Sequence, residues 1–266
     1  MIYYKTKEEI ELIKHSCQLV SKVHQELAKH IKPGITTLSL DKIAEEFIRD
    51  HGAIPGFKNY RGFPYTLCIS VNEEVVHGFP SNRLVKEGDL LSIDCGAIAN
   101  GFYGDQAYTY AINPVLEAHS MLLSVTKKCL VLGIEQAIPG NRIGHISEAV
   151  QTLAEEHGYG VVEQLVGHGL GRNLHEEPEV PNFGKKNSGP VIKEGLVIAI
   201  EPMINLGTKN IVWDKKDGWT VRSKDGTVSA HYEHTIAVGK EGPIVLTTFE
   251  YVEQELKNNS NVSVIK

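Results

Sequence analysis

The 266-residue sequence has no apolar run near the roughly 20 residues needed to span a bilayer, so no helical membrane function is expected. The opening residues, MIYYKTKEEIELIK, lack the uninterrupted apolar core of a secretory signal. Cysteine is scarce. Cys17, Cys68, Cys95 and Cys129 are scattered without CxxC spacing, which argues against a disulfide framework and fits free thiols in a reducing cytoplasm. Basic clusters are missing too: a net charge of −6 is spread without long runs, against the footprint of a nucleic-acid binder. No stretch has the character of an interdomain linker, so a single domain over residues 1–266 is expected. No interface segment is visible either, and a monomer is the expectation.

What is present is acid in apolar surroundings. Asp94 and Asp105 lie in runs 90–97 and 102–110 that otherwise read as buried strands, where an unpaired carboxylate is costly. Between them Asn100-Gly101 signals a hairpin. A four-residue loop over 98–101 pairs Ala97 with Phe102 and sets Asp94 directly opposite Asp105, roughly 5 Å away on the same face. Opposed like charges need a proton, a cation or wide solvation, and a cation is the best account. Glu201 ends a second apolar run, 197–200, and the following Pro202 cannot donate to a sheet ladder. Glu233 falls in the alternating segment SAHYEHTIAV. GHGLGRNLHEEP (167–178) places His168 and His175 among glycines, which permit close backbone approach and suit the lining of a cleft. Asp94, Asp105, His168, Glu201 and Glu233 thus form a hard, oxygen-rich set suited to two divalent cations, with Mn, Fe, Co and Zn all compatible. His231 and His234 read as ordinary structural residues, and alternation turns His234 away from Glu233.

Thr6-Lys7-Glu8-Glu9 forms a capping box, and Ile10, Ile13, Cys17, Val20, Val23 and Leu27 continue it as an amphipathic helix. A second helix ends near Gly52, and others cover 115–136 and 143–157. Strands are expected over 65–71, 89–97 and 102–112, then around Val161 and over 196–201, 211–214, 220–223, 229–238 and 244–247. The tail NNSNVSVIK reads as loose. A repeat underlies this order. Pro33-Gly34 with a helix ending His51-Gly52 recurs as Pro139-Gly140 with a helix ending His157-Gly158, offset by 106. KEGDLLSID (86–94) recurs as KEGLVIAIE (193–201), offset by 107, each copy closing on an acid. Two α+β halves, roughly 1–112 and 113–250, with approximate two-fold symmetry are therefore expected, Asp94 and Glu201 being symmetry mates.

CISVNEEVVHGFP, SIDCGAIANGFYGD, GHGLGRNLHEEP, IAIEPM and SAHYEHT occur in this order over nearly the whole chain. In them the sequence resembles the type I methionine aminopeptidases of family M24. The resemblance implies the duplicated α+β pita-bread fold, its two related halves surrounding a central antiparallel sheet. It implies a metallo-exopeptidase that removes N-terminal methionine before a small second residue, acting in the cytoplasm on peptides and on nascent chains at the ribosome. Asp94 and Asp105 would bind one metal and His168 and Glu201 complete the second, with Asp105 and Glu233 bridging. His77 would contact the scissile amide, His175 the substrate carbonyl, and Glu201 would take a proton from the attacking water. Tyr60, Phe63, Cys68 and Trp219 would line the methionine pocket. Phe57, Phe63 and Leu174 stand where cysteine, tyrosine and phenylalanine are common, which keeps the pocket apolar and alters its shape. Xaa-Pro peptidases of the same fold usually carry a large preceding domain, whereas only a helical segment precedes the core here. The type II enzymes carry a helical insertion, for which the 32-residue offset from Glu201 to Glu233 leaves little room. A non-catalytic relative would be marked by the loss of a ligand, and all five positions are filled.

Overall fold

The structure is a computed structural model and describes residues 1–265. The first half runs α1 (Lys7–His30), α2 (Thr37–Asp50), β1 (Ile54–Pro55), β2 (Leu67–Val71), β3 (Glu74–Val76), β4 (Leu90–Ala99) and β5 (Phe102–Ile112). The second opens with α3 (Glu117–Glu135), α4 (Ile143–Glu156), β6 (Gly160–Val161), β7 (Gly167–Gly169), β8 (Glu176–Val180) and β9 (Val197–Ile200). It continues with β10 (Met203–Asn205), β11 (Ile211–Trp213), β12 (Val221–Ser223), β13 (Ser229–His231), β14 (His234–Val238) and β15 (Pro243–Val245). Helix α5 (Glu250–Leu256) and β16 (Val262–Ser263) close the chain.

Thr6 caps α1 as its sequence requires: the Glu9 N–H donates to Thr6 Oγ1 at 3.2 Å, and the Thr6 N–H donates to the Glu9 carboxylate at 3.1 Å. The apolar face of α1 is buried against β4 and β5. The repeat is geometric as well as textual. Helices α2 and α4 are 14 residues each and begin 106 positions apart. Ahead of each, a glycine in the left-handed region, Gly34 (φ 90°) or Gly140 (φ 95°), donates to Val85 O or Ile192 O at 2.8 and 3.0 Å. In each half an antiparallel pair then carries the acids, β4 with β5 and β9 with β14. Two five-stranded antiparallel sheets result, and they meet at the centre. There the Glu233 N–H donates to Ala107 O at 3.0 Å and Thr235 Oγ1 to Asp105 O at 2.8 Å.

Three expectations are corrected. The hairpin turn is the two-residue Asn100-Gly101, with φ of 53° and 76°, so Ala99 pairs with Phe102. Positive φ at both central residues is the primed turn that Asn-Gly favours, because its twist matches the strands. Register therefore shifts by two: Asp94 faces Ala107, Asp105 faces Gly96, and the two acids are diagonal neighbours on the same face. Residues 229–238 form two strands, interrupted at Tyr232-Glu233. The tail is tied down. β16 pairs with β5, Asn259 Nδ2 donates to Ala28 O and Ile31 O at 2.8 Å each, and Ile265 is buried.

Behind the central sheet His24 is fully buried, its Nδ1 3.1 Å from Tyr110 Oη and its Nε2 3.0 Å from Gln106 O. Burial lowers its pKa from 6.5 to about 4. An unfolded chain takes up this proton near pH 6.5 and the folded one does not. The neutral ring's contribution is thus complete above 6.5 and is lost as pH falls toward 4, costing about 3 kcal/mol in all. Chemical denaturation at pH 7 and pH 4.5 should show this loss, and His24→Gln should flatten it; an unchanged slope in that variant would refute the assignment.

Candidate metal centre

Sheet register delivers the acids to one place. Asp94 on β4 lies opposite Cys68 of β2, and both line a cavity of about 290 Å³ with Asp105, His168, Glu201 and Glu233. Glu201 directly follows β9, and Glu233 sits in the break between β13 and β14. His168 is central to β7, where the flanking glycines are required by close approach. A Cβ on Gly167 would fall 2.4 Å from Ala199 O, and one on Gly169 2.4 Å from Glu177 O.

His168 Nδ1 donates to Gly169 O at 2.9 Å, since a carbonyl can only accept. That bond fixes the tautomer and leaves the Nε2 lone pair free in the neutral ring. Nε2 lies 3.8 Å from Asp105 Oδ2 and 3.6 Å from Glu201 Oε1, so it faces a carboxyl group on each side. Donor atoms of Asp105, His168 and Glu233 fall within 4.8 Å of one another, as do those of Glu201, His231 and Glu233. Glu233 belongs to both groups. Asp94 Oδ1, Asp105 Oδ1, Glu233 Oε1 and His231 Nε2 are buried without a hydrogen-bond partner, although His231 Nε2 lies 3.2 Å from Glu201 Oε2, out of line for a bond. Orphaned buried carboxylate oxygens around an imidazole lone pair are a hard donor set that fits divalent cations.

Electrostatics point the same way. Burial pushes Asp94 up to about 7, with Glu201 adding to the rise. Burial, then the Asp94 charge, holds Asp105 well above the carboxylate range. Burial and the charges of Asp105 and Glu201 do the same at Glu233. At Glu201 burial also opposes ionisation, but His231 and His168 outweigh it and its pKa falls below the ordinary value. Four acids this close repel strongly, so the chain alone leaves three of them reluctant to ionise.

Beside the acids the cavity turns apolar. Phe63 meets Trp219 and Phe79 edge-on, ring centroids 5.3 Å apart in both cases. His77 stands edge-on to Trp219 at 6.2 Å, with φ of 59°, a strained conformation for a residue with a Cβ. Burial lowers its pKa. Tyr60 Oη is 2.8 Å from His175 Nδ1, and the His175 ring packs edge-on against His168 at 4.4 Å. Burial, reinforced by His168, lowers the His175 pKa to about 4 and keeps the ring neutral at physiological pH. Phe57 and Leu174 line the same space. Cys68 is an inert wall, its thiol raised well above 9 by burial and then by Asp94.

All eleven side chains singled out in the sequence line this one cavity. The sequence reading missed His231, taken as structural, which lies beside Glu201. Its position two before Glu233 was the available signal, since alternate residues share a face. His234 does point away: its Nδ1 is 2.6 Å from Thr247 Oγ1 and its ring packs on Phe249. Arg61 and Met203 also line the cavity, without a pattern that set them apart.

An acid-rich centre between duplicated halves defines a class of metal-dependent peptidase, and the sequence model of metallopeptidase family M24 matches residues 11–240: the chain belongs to this family. Membership implies a divalent metal and shows the pita-bread fold. Among relatives, the chain is 48% identical to methionine aminopeptidase 1 of Bacillus subtilis over 93% of its own length and 99% of the relative's. Among solved structures, methionine aminopeptidase from Rickettsia prowazekii superposes with a TM-score of 0.92 at 38% identity, over 93% of this chain and 100% of that one. The Thermotoga maritima enzyme gives 0.91 at 40%, with the same coverages.

Proposed function

We propose that this chain is a metal-dependent aminopeptidase that removes the N-terminal methionine of peptides and nascent proteins whose second residue is small. The observation that carries the reading is an apolar, aromatic pocket opening directly onto buried carboxylate oxygens that lack partners. Asp94, Asp105, His168, Glu201 and Glu233 would hold the metal, and Glu233, shared by both donor groups, supports two ions. Such cations, with Mn, Fe, Co and Zn compatible, supply Lewis acidity and bring the pKa of water toward neutrality.

The chain's own groups do the rest. Glu201, the carboxyl that ionises most readily, accepts the proton of the attacking water. His175 is neutral; with Tyr60 O–H donating to Nδ1, its Nε2–H is free to donate to the substrate carbonyl oxygen as charge builds there. His77, held rigidly in its strained turn, orients the scissile amide. Tyr60, Phe63, Cys68 and Trp219 receive the thioether, for which a soft, aromatic lining is suited. Crowding beyond them restricts the second residue.

Among the described residues no helix is long and apolar enough to cross a membrane, and all four cysteines are free and buried. We further propose a single catalytic unit of two halves, acting in the cytoplasm as a monomer on chains leaving the ribosome. Metal-loaded protein should release methionine from Met-Ala-Ser, lose that activity to a chelator, and regain it with divalent metal. Cleavage of Xaa-Pro peptides with Met-Ala-Ser left intact would overturn the reading. Metal analysis of protein purified without added metal would identify the ion.

A further inference from the structure

At the mouth of the cavity stands a guanidinium without an acid. Arg61 is exposed and lines the same cavity as the four acids. Its guanidinium lies over the Tyr60 ring, the centroid 5.4 Å from Arg61 Cζ, and its charge reaches His175. Among the described residues it forms no ion pair, whereas Arg49, Arg83, Arg172 and Arg222 each have a carboxylate within 4.0 Å and Arg142, also without an acid, donates its Nη1 to Gly189 O at 2.7 Å.

Its backbone is unusual as well. Asn59, Arg61 and Gly62 all have positive φ, 68°, 49° and 89°, in a tight turn closed by Asn59 N–H to Phe63 O at 2.7 Å. An arginine gains nothing from the left-handed region. The turn nevertheless holds its side chain over Tyr60, which itself reaches His175 at 2.8 Å. Arg61, Tyr60 and His175 thus form a contiguous row from the mouth to the point where the substrate carbonyl would bind. Among the described residues every other charged residue lining the cavity is acidic, histidines aside, so Arg61 is the one permanent cation described on its wall.

Resting on the aminopeptidase reading, we infer that Arg61 is a specificity residue that receives a negative charge at the third residue of the substrate. A peptide with its first residue in the aromatic pocket and its scissile carbonyl beside His175 must leave past this row. A carboxylate two residues downstream then meets a guanidinium that can bind it in a bidentate fashion. That carboxylate is the C-terminus of a tripeptide or an Asp or Glu side chain in a longer chain.

Two substrate pairs separate these sources: Met-Ala-Ser against its C-terminal amide, and Met-Ala-Glu-Ser-amide against Met-Ala-Lys-Ser-amide. In the unaltered enzyme kcat/KM should favour the negative member of each pair by roughly 2–5-fold at low salt, the range of an exposed ion pair. The preference should fade as salt rises. In Arg61→Gln both ratios should fall to about one, and Arg61→Lys should restore part of the preference. A preference in only one pair assigns Arg61 to that source. Ratios unchanged by Arg61→Gln, or no preference in the unaltered enzyme, would overturn the inference. Loss of all four activities in the unaltered, metal-loaded enzyme would instead strike the aminopeptidase reading.

Discussion

Asp105→Asn should lower kcat/KM for Met-Ala-Ser at least about 100-fold, the upper end of what losing even an outer partner of a metal costs. The same change should stabilise the metal-free protein. Asp105 is buried among Asp94, Glu201 and Glu233, and its Oδ1 has no hydrogen-bond partner. An amide of the same shape cannot ionise, so it escapes the cost that burial and Asp94 impose on this carboxyl near neutral pH. The gain should be roughly 1–3 kcal/mol, since each pKa unit by which the fold raises a carboxyl costs about 1.4 kcal/mol near neutral pH. The two signs discriminate. A structural carboxylate would show the reverse pattern, lower stability with metal content and turnover retained. Metal analysis, steady-state kinetics and urea denaturation with chelator present provide the three readouts. Full activity, or unchanged metal content, would remove Asp105 from the site.

Lys5→Met should destabilise the fold by about 3–5 kcal/mol, because it strands a buried carboxylate. Lys5 Nζ pairs with Glu176, and the two side chains are only 6% and 5% exposed. The other Glu176 oxygen accepts the Asn173 N–H at 3.2 Å. The Lys5 N–H donates to Gly195 O at 2.7 Å, so Lys5 ties Glu176, next to His175, to the turn before β9. Packing is tight enough that a Cβ on Gly171 would lie 2.6 Å from Lys5 Cε. Replacing both partners, Lys5→Met with Glu176→Met, should recover most of the loss, since two apolar groups leave no charge unpaired. Denaturant midpoints of the two single variants and the double variant test this. A Lys5→Met variant within about 1 kcal/mol of the parent would show that the pair is solvated.

Much of the site was legible because charge in an apolar strand is expensive. Asp94, Asp105 and Glu201 stand out for that reason, and the glycines around His168 announce close backbone approach. Less was legible wherever local pattern competes with tertiary contact. The Asn-Gly pair signals a hairpin, yet loop length had to be chosen, and the primed two-residue turn shifted the register by two. Asp94 and Asp105 still share a face because side chains repeat every second residue, so an even slip preserves the site while an odd one would have destroyed it. The tail looked loose because Asn and Ser dominate it. Its order comes from the open edge of β5 and from Asn259 bonding the end of α1, partners more than 140 positions away.

The sequence by itself determined the duplicated order of helices and strands, the five acidic and imidazole groups, and the family to which they belong. The order rests on periodicity, capping and turn chemistry, all local in the chain, and the family on the resemblance of five ordered motifs. Only the tertiary structure decided which groups meet. It turned His231 toward Glu201, aimed the free Nε2 of His168 between Asp105 and Glu201, and left Arg61 unpaired at the mouth. Such facts depend on where two sheets join, and a junction between strands distant in the chain leaves no mark on the spacing within either one.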